Sequence, residues 1–117
     1  MFDKCTKVTD FSYAFANTNI TVIPEGLFDS CTEVTSFDGT FYKTNITEIP
    51  EGMFDNNTKV TTFNQTFREC SNLLTISKGL FDKCTEVTSF VGAFDGCNSI
   101  KIIPEEFFKY NTKKSVI

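Results

Sequence analysis

Apolar side chains along this chain recur at every third position, in runs separated by polar links of a few residues. Phe81, Cys84, Val87 and Phe90 form one run, and Phe94, Cys97, Ile100 and Ile103 form the next. That spacing fits neither the period of about 3.6 of an amphipathic helix nor the strict alternation of a half-buried strand. Helix is opposed further by Thr and Val inside the runs, by Gly39, Gly52, Gly79 and Gly92, and by Pro24, Pro50 and Pro104. The pattern predicts short extended pieces joined by turns, with 34–37 and 46–49 as examples. A turn follows at Pro50, Glu51 and Gly52, and 51–55 is expected to form a single helical or 3-10 turn.

The runs themselves repeat. Phe2, Phe28, Phe54 and Phe81 open four copies spaced 26, 26 and 27 residues apart, and each copy holds a second phenylalanine 13 residues on, at Phe15, Phe41, Phe67 and Phe94. A fixed period of this size marks a solenoid, in which each copy is one coil that buries its apolar side only against its neighbours. The expected architecture is a repeat solenoid of about four coils, mainly short parallel β-strands with turns and short helical or 3-10 segments. It is expected over 1–108, with copies at 2–27, 28–53, 54–80 and 81–107. Residues 109–117 are read as a frayed or capping tail, because Lys114 stands where Val8, Val34, Val60 and Val87 stand in the copies. Met1 falls in the column of Leu27 without an obvious cap, so the ends of the stack are expected to be open.

Stacked coils bring equivalent residues to about 4.8 Å from one another, so columns carry physical meaning. One reads Lys7, Glu33, Lys59, Glu86, Lys113 and alternates in sign throughout, which favours register. Cys5, Cys31 and Cys84 share a second column, and Cys70 and Cys97 a third. Adjacent cysteines fall within reach of a disulfide or a metal site. The odd count of five, the lack of CxxC and His, and the substitution of Thr18, Thr44 and Asn57 into the same columns favour buried free thiols filling small apolar spaces. Asp3, Asp29, Asp55 and Asp82 follow each opening phenylalanine. Calcium ligation and backbone capping are the two readings; capping is preferred, because no D-x-D-x-D loop accompanies the column. Asn19, Asn45, Asn56 and Asn64 lie in N-x-T triplets that a threonine-rich repeat produces automatically. Hydrogen bonding to their own backbone is preferred over glycosylation.

Composition narrows the function classes. The 117 residues include 14 Phe and no Trp or His, enough aromatic area for a core without disulfides. A net charge of −4 and the lack of basic clusters argue against nucleic acid as a partner. No apolar run approaches the roughly 20 residues that span a bilayer, and no signal peptide precedes Phe2. Without His, without a nucleophile beside a base and without a phosphate-binding loop, neither catalysis nor a cofactor is expected.

The stretch F-x-x-C-x-x-I-x-I-I-P at 94–104, together with F-D-x-x-T-x-V-T-x-F-x-x-x-F at 28–41, resembles the leucine-rich repeats of bacterial surface proteins of the BspA type and of mycoplasma lipoproteins. The resemblance covers nearly the whole chain, with departures at Thr18, Thr44, Asn57 and Ser77, and coils one and two lack one residue of the second half. It implies an elongated, curved module on the outside of a bacterium, extracellular or at the cell surface, used for attachment.

Core columns barely change between copies, whereas the links 12–17, 38–43, 64–69 and 91–96 vary. Variable links on a rigid stack are where repeat proteins place recognition groups, although loops also vary by default. The candidate binding face is therefore Tyr13, Tyr42, Lys43, Arg68, Glu69 and Asp95, offered to a protein or glycan partner. The alternative is a structural spacer that stacks end to end with itself.

Overall fold

The computed structural model describes residues 5–101, and within them the backbone passes through four coils, at 5–27, 28–53, 54–80 and 81–101. The coils are joined by a repeated backbone ladder. The N–H groups of Phe11, Tyr13, Phe15 and Asn17 donate to the carbonyls of Ser36, Asp38, Thr40 and Tyr42 at 2.8–3.0 Å. Phe37, Gly39, Phe41 and Lys43 repeat this onto Thr62, Asn64, Thr66 and Arg68, and Phe63, Gln65, Phe67 and Glu69 onto Ser89, Val91, Ala93 and Asp95. The alternate N–H groups turn inward: Ala14, Ala16 and Thr18 donate to the carbonyls of Phe11, Tyr13 and Phe15 in their own coil. Each link is thus a series of overlapping tight turns, with amides aimed at the following coil and carbonyls at the preceding one.

That geometry needs left-handed backbone at two positions per link. Tyr13, Gly39, Gln65 and Gly92 form one such column and Asn17, Lys43, Glu69 and Gly96 the other, with φ between 56° and 78°. Glycine at three of these eight positions avoids the Cβ strain that the other residues carry.

The expected parallel strands do not form. Among the described residues β-pairing is reduced to single parallel bridges, Asp10 to Ser36, Ser36 to Thr62 and Thr62 to Ser89. The cause is local: a turn at 32–33 precedes the extended residues 34–37, and the left-handed Gly39 follows them, so pairing cannot propagate. The segment 46–49 holds no turn and makes no bridge to its neighbours. The turn at 51–56 is likewise no helix. Its bonds, Asp55 N–H to Gly52 O and Asn57 N–H to Phe54 O, are not consecutive, and Gly52 at φ +70° interrupts it.

The core is a phenylalanine zipper. Phe11, Phe37, Phe63 and Phe90 stack in one ladder with centroids 5.9, 5.7 and 5.7 Å apart. Phe28, Phe54 and Phe81 form the predicted opening column, 6.4 and 5.8 Å apart, and Phe2 lies outside the described residues. The two ladders interdigitate: Phe54 tilts between Phe37 and Phe63 at 4.9 and 4.8 Å, an arrangement that offset aromatic quadrupoles favour. A third ladder, Phe15, Phe41, Phe67 and Phe94, stacks at 5.4–5.6 Å. The expected tail, 109–117, also lies outside the described residues.

Polar side chains inside this core each have one task. Thr40 Oγ1 donates to Phe11 O at 3.0 Å and Phe37 O at 2.7 Å, and Thr66 does the same one coil on. Cys70 Sγ reaches Phe41 O at 3.0 Å, Cys97 Sγ reaches Phe67 O at 2.9 Å, and Asn57 Nδ2 reaches Phe28 O and Cys31 O. Cys70, Cys84 and Cys97 are therefore donors to buried carbonyls as well as small buried fillers. Thr and Asn replace Cys because each is a small group with a hydrogen to offer a buried carbonyl.

Candidate functional site

The links carry the proposed face, and the left-handed backbone sets where their side chains go. Tyr13 is 51% exposed, and its ring lies across Gly39 so closely that a Cβ there would collide with the ring carbons. The hydroxyl reaches over coil two to Gln65 Oε1 at 3.4 Å, and the ring meets Tyr42 edge-on at 6.3 Å. Lys43 Nζ sits 5.3 Å from the Tyr42 ring centroid, a cation–π contact. Tyr13, Tyr42 and Lys43 are thus brought together. Arg68 and Asp95 form a second pair, Nε to Oδ2 at 3.5 Å, which is an ion pair without a hydrogen bond, since Nε is sealed from solvent and finds no acceptor. Glu69 occupies the left-handed column, with Cγ packed against Gly96. The six residues form a mixed-charge surface with two tyrosine rings at one end.

Sequence reasoning missed Gln65, which belongs to this face through Tyr13. The available signal was glycine itself: Gly39 and Gly92 share a column with Tyr13 and Gln65, and a column that accepts glycine so often points to left-handed backbone.

Beside the links runs a polar ladder that joins the coils. Asp38 Oδ1 accepts from Thr62 Oγ1 at 2.6 Å and Asn64 N–H at 2.9 Å, and Asn64 Oδ1 accepts from Ser89 Oγ and from Val91 N–H. In coil one Asp10 accepts from the Ser12 hydroxyl and amide, which lowers its carboxyl pKa. Asn64 and Asn56 bond to neighbouring coils, Asn56 Nδ2 to Asp29 O at 3.2 Å, and not to their own backbone as expected. Stacking places a closer partner one coil away than the turn offers locally.

The charge ladder is closed between coils two and three. Lys59 Nζ lies 2.9 and 2.8 Å from the two oxygens of Glu33, with both side chains about half exposed. Such a pair contributes about 0.2–1 kcal/mol. Lys7 and Glu86 are exposed in the same column, and Lys113 lies outside the described residues.

The aspartate column does not cap at its described members; Asp3 lies outside the described residues. Among the described residues the carboxylates of Asp29, Asp55 and Asp82 accept no hydrogen bond; each folds back over the glycine three residues earlier. A Cβ at Gly26, Gly52 or Gly79 would stand 3.0–3.1 Å from the aspartate Oδ2.

All five cysteines are free thiols, with Cys5 half-buried and the others buried. Burial pushes the Cys84 thiol up to about 12, helped by the Asp55 carboxylate. It pushes Cys97 up to about 12 as well, with Cys70 adding to the effect, and raises Cys31 and Cys70. Such thiols are poor nucleophiles at neutral pH. No helix among the described residues is long and apolar enough to cross a membrane.

No protein-family model and no curated protein matches the chain. Among solved structures, the chain is similar to the functional domain of InlJ from Listeria monocytogenes, described as including a cysteine ladder. The identity is 16% over 97% of this chain and 25% of that one, with a TM-score of 0.42. It is similar also to a chain of the Toll–Spatzle complex of Drosophila, with 18% identity, 83% and 15% coverage and a TM-score of 0.38. A leucine-rich repeat protein from Bacteroides ovatus gives 19% identity, 85% and 38% coverage and a TM-score of 0.35. The chain spans about a quarter of the length of the InlJ domain. Likenesses this low carry no argument, and the stacked-coil architecture rests on the amide and phenylalanine ladders themselves.

Proposed function

We propose that this chain is a non-catalytic binding module that presents the link face to a protein or glycan partner. The observation that carries the reading is the placement of Tyr13, Tyr42 and Lys43. The exposed Tyr13 ring, the half-buried Tyr42 ring and a cation are held against one another by left-handed backbone on a stack whose core is closed. Rigid aromatics lose little entropy on contact and suit recognition. The motif resemblance supports assigning the module to BspA-type leucine-rich repeat proteins working outside a bacterial cell in adhesion. The test is capture of extracellular-matrix proteins or arrayed glycans by the chain and by a Tyr42→Ala/Arg68→Ala variant. Binding that the variant leaves unchanged removes the link face from the proposal.

A second reading, end-to-end assembly, has one observation in its favour. The carbonyls of Ser12, Ala14 and Ala16 in coil one accept no backbone hydrogen bond among the described residues, whereas their equivalents in coils two and three each accept one from the coil before. Another N–H row would complete them. Light scattering across a dilution series decides: growth with concentration supports stacking, and a constant monomer mass removes it.

A further inference from the structure

The coils are pinned together on the link side and stand apart on the opposite one. There the segments 20–23, 46–49 and 73–77 share few backbone bonds: Asn45 N–H to Ile20 O and Leu74 N–H to Thr47 O. The N–H groups of Val22, Thr47, Glu48, Ile49 and Thr75 make no hydrogen bond among the described residues. The gap between these segments is a groove of about 460 Å³ that crosses three coils. That volume lies in the range of about 300–1,000 Å³ typical of ligand sites.

Three features of the groove agree on one occupant. Every titratable side chain lining it is a carboxylate, Glu25, Glu48 and Glu51. Thr21, Thr47 and Thr75 add hydroxyls along its length. Turn-free backbone with unpaired donors and acceptors lines it, and Pro24 and Pro50 stand just before the turns that begin at Glu25 and Glu51. Val22, 71% exposed, supplies an apolar lip. Lys78 follows Ser77 in the chain but does not line the groove.

We propose that this groove docks an extended, lysine- or arginine-bearing peptide segment of a partner protein. Main-chain hydrogen bonds to the unpaired walls hold such a segment, as in strand addition to an exposed edge. The three glutamates select basic side chains and repel acidic ones. The inference goes beyond the link-face reading, since it concerns a different surface.

The test uses the full chain and a fluorescein-labelled octapeptide of alternating Lys and Thr, followed by fluorescence anisotropy at low and moderate salt. An octapeptide of alternating Glu and Thr and the polyamine spermine serve as comparisons. The expected result is saturable binding of the basic peptide, no binding of the acidic one, and about tenfold weakening in a Glu25→Gln/Glu48→Gln/Glu51→Gln variant with unaltered melting. All three glutamates are exposed, so the variant should fold. Amide shifts on Thr47, Glu48 and Ile49 by NMR would place the peptide in the groove. Equal affinity in the triple variant overturns the proposal, as does spermine binding as tightly as the peptide, which would mark a simple polycation effect. Loss of peptide binding in Tyr42→Ala/Arg68→Ala, with retention in the triple variant, also overturns it while leaving the link face as the binding surface.

Discussion

Replacing Phe63 by alanine tests the zipper at its most enclosed point. The ring is fully buried in coil three, stacked 5.7 Å from both Phe37 and Phe90 and tilted 4.8 and 4.6 Å from Phe54 and Phe81. Removing it deletes the transfer energy of the ring and leaves a cavity that four flanking rings cannot collapse into without breaking their own stacking. Phe-to-Ala changes in such cores cost about 3–5 kcal/mol. Total stability is expected at about 5–15 kcal/mol, so the variant should lose at least about a fifth of it. Because each coil contacts only its neighbours, the loss uncouples coil two from coil four and should also reduce cooperativity. Phe15→Ala is the internal comparison, since that ring is half-buried and should cost roughly half as much. Urea unfolding followed by tyrosine fluorescence and by circular dichroism measures both. Agreement between the two probes in the wild type, and their separation in Phe63→Ala, would report the lost coupling. A Phe63→Ala variant within about 1 kcal/mol of wild type, or no costlier than Phe15→Ala, would refute the claim that interleaved rings hold the coils together.

Other expectations follow from single contacts. Asn57 Oδ1 is buried without a partner while its neighbours in the column, Cys31 and Cys84, carry no such acceptor. Asn57→Cys should therefore raise stability by about 1 kcal/mol, the lower end of an orphan's cost, read as a higher melting temperature. Gly39→Ala should cost about 1–2 kcal/mol from left-handed strain alone, and more from collision with the Tyr13 ring. A Tyr13→Ala/Gly39→Ala double-mutant cycle should recover the collision part and leave the strain. Cys84 and Cys97 titrate near 12 when folded but near the ordinary thiol value when unfolded. The unfolded chain then releases those protons first, so stability should be constant below about pH 9 and fall as pH rises towards 12. A Cys84→Ala variant compared with wild type from pH 7 to 11 should show a smaller fall. Thiol labelling of native protein at pH 8 should modify Cys5 first and reach the buried four only through unfolding.

The period of the chain was legible because it is written in large residues. Phe28, Phe54 and Phe81 had to stack once the spacing of 26 and 27 residues was seen, and so did the alternating column that closes at Lys59 and Glu33. The six residues of the candidate face could be named for the same reason, as the variable positions beside conserved columns. Their contacts could not be read in this way. That Tyr13 leans across Gly39 to Gln65 depends on φ +58° at Tyr13, a conformation its residue type does not announce. The strands failed for a related reason: Val34 and Thr35 favour extended backbone, but strand length is decided by where the neighbouring turns fall.

Local sequence therefore determined the number of coils, their register and the composition of the core, because burying an aromatic ring is worth more than any competing local preference. Only the tertiary structure decided which amides reach across coils, why asparagine exchanges with cysteine in one column and threonine with cysteine in another, and where the stack opens into a groove. Those outcomes depend on which hydrogen-bonding groups lie one coil away, a distance that no linear pattern records.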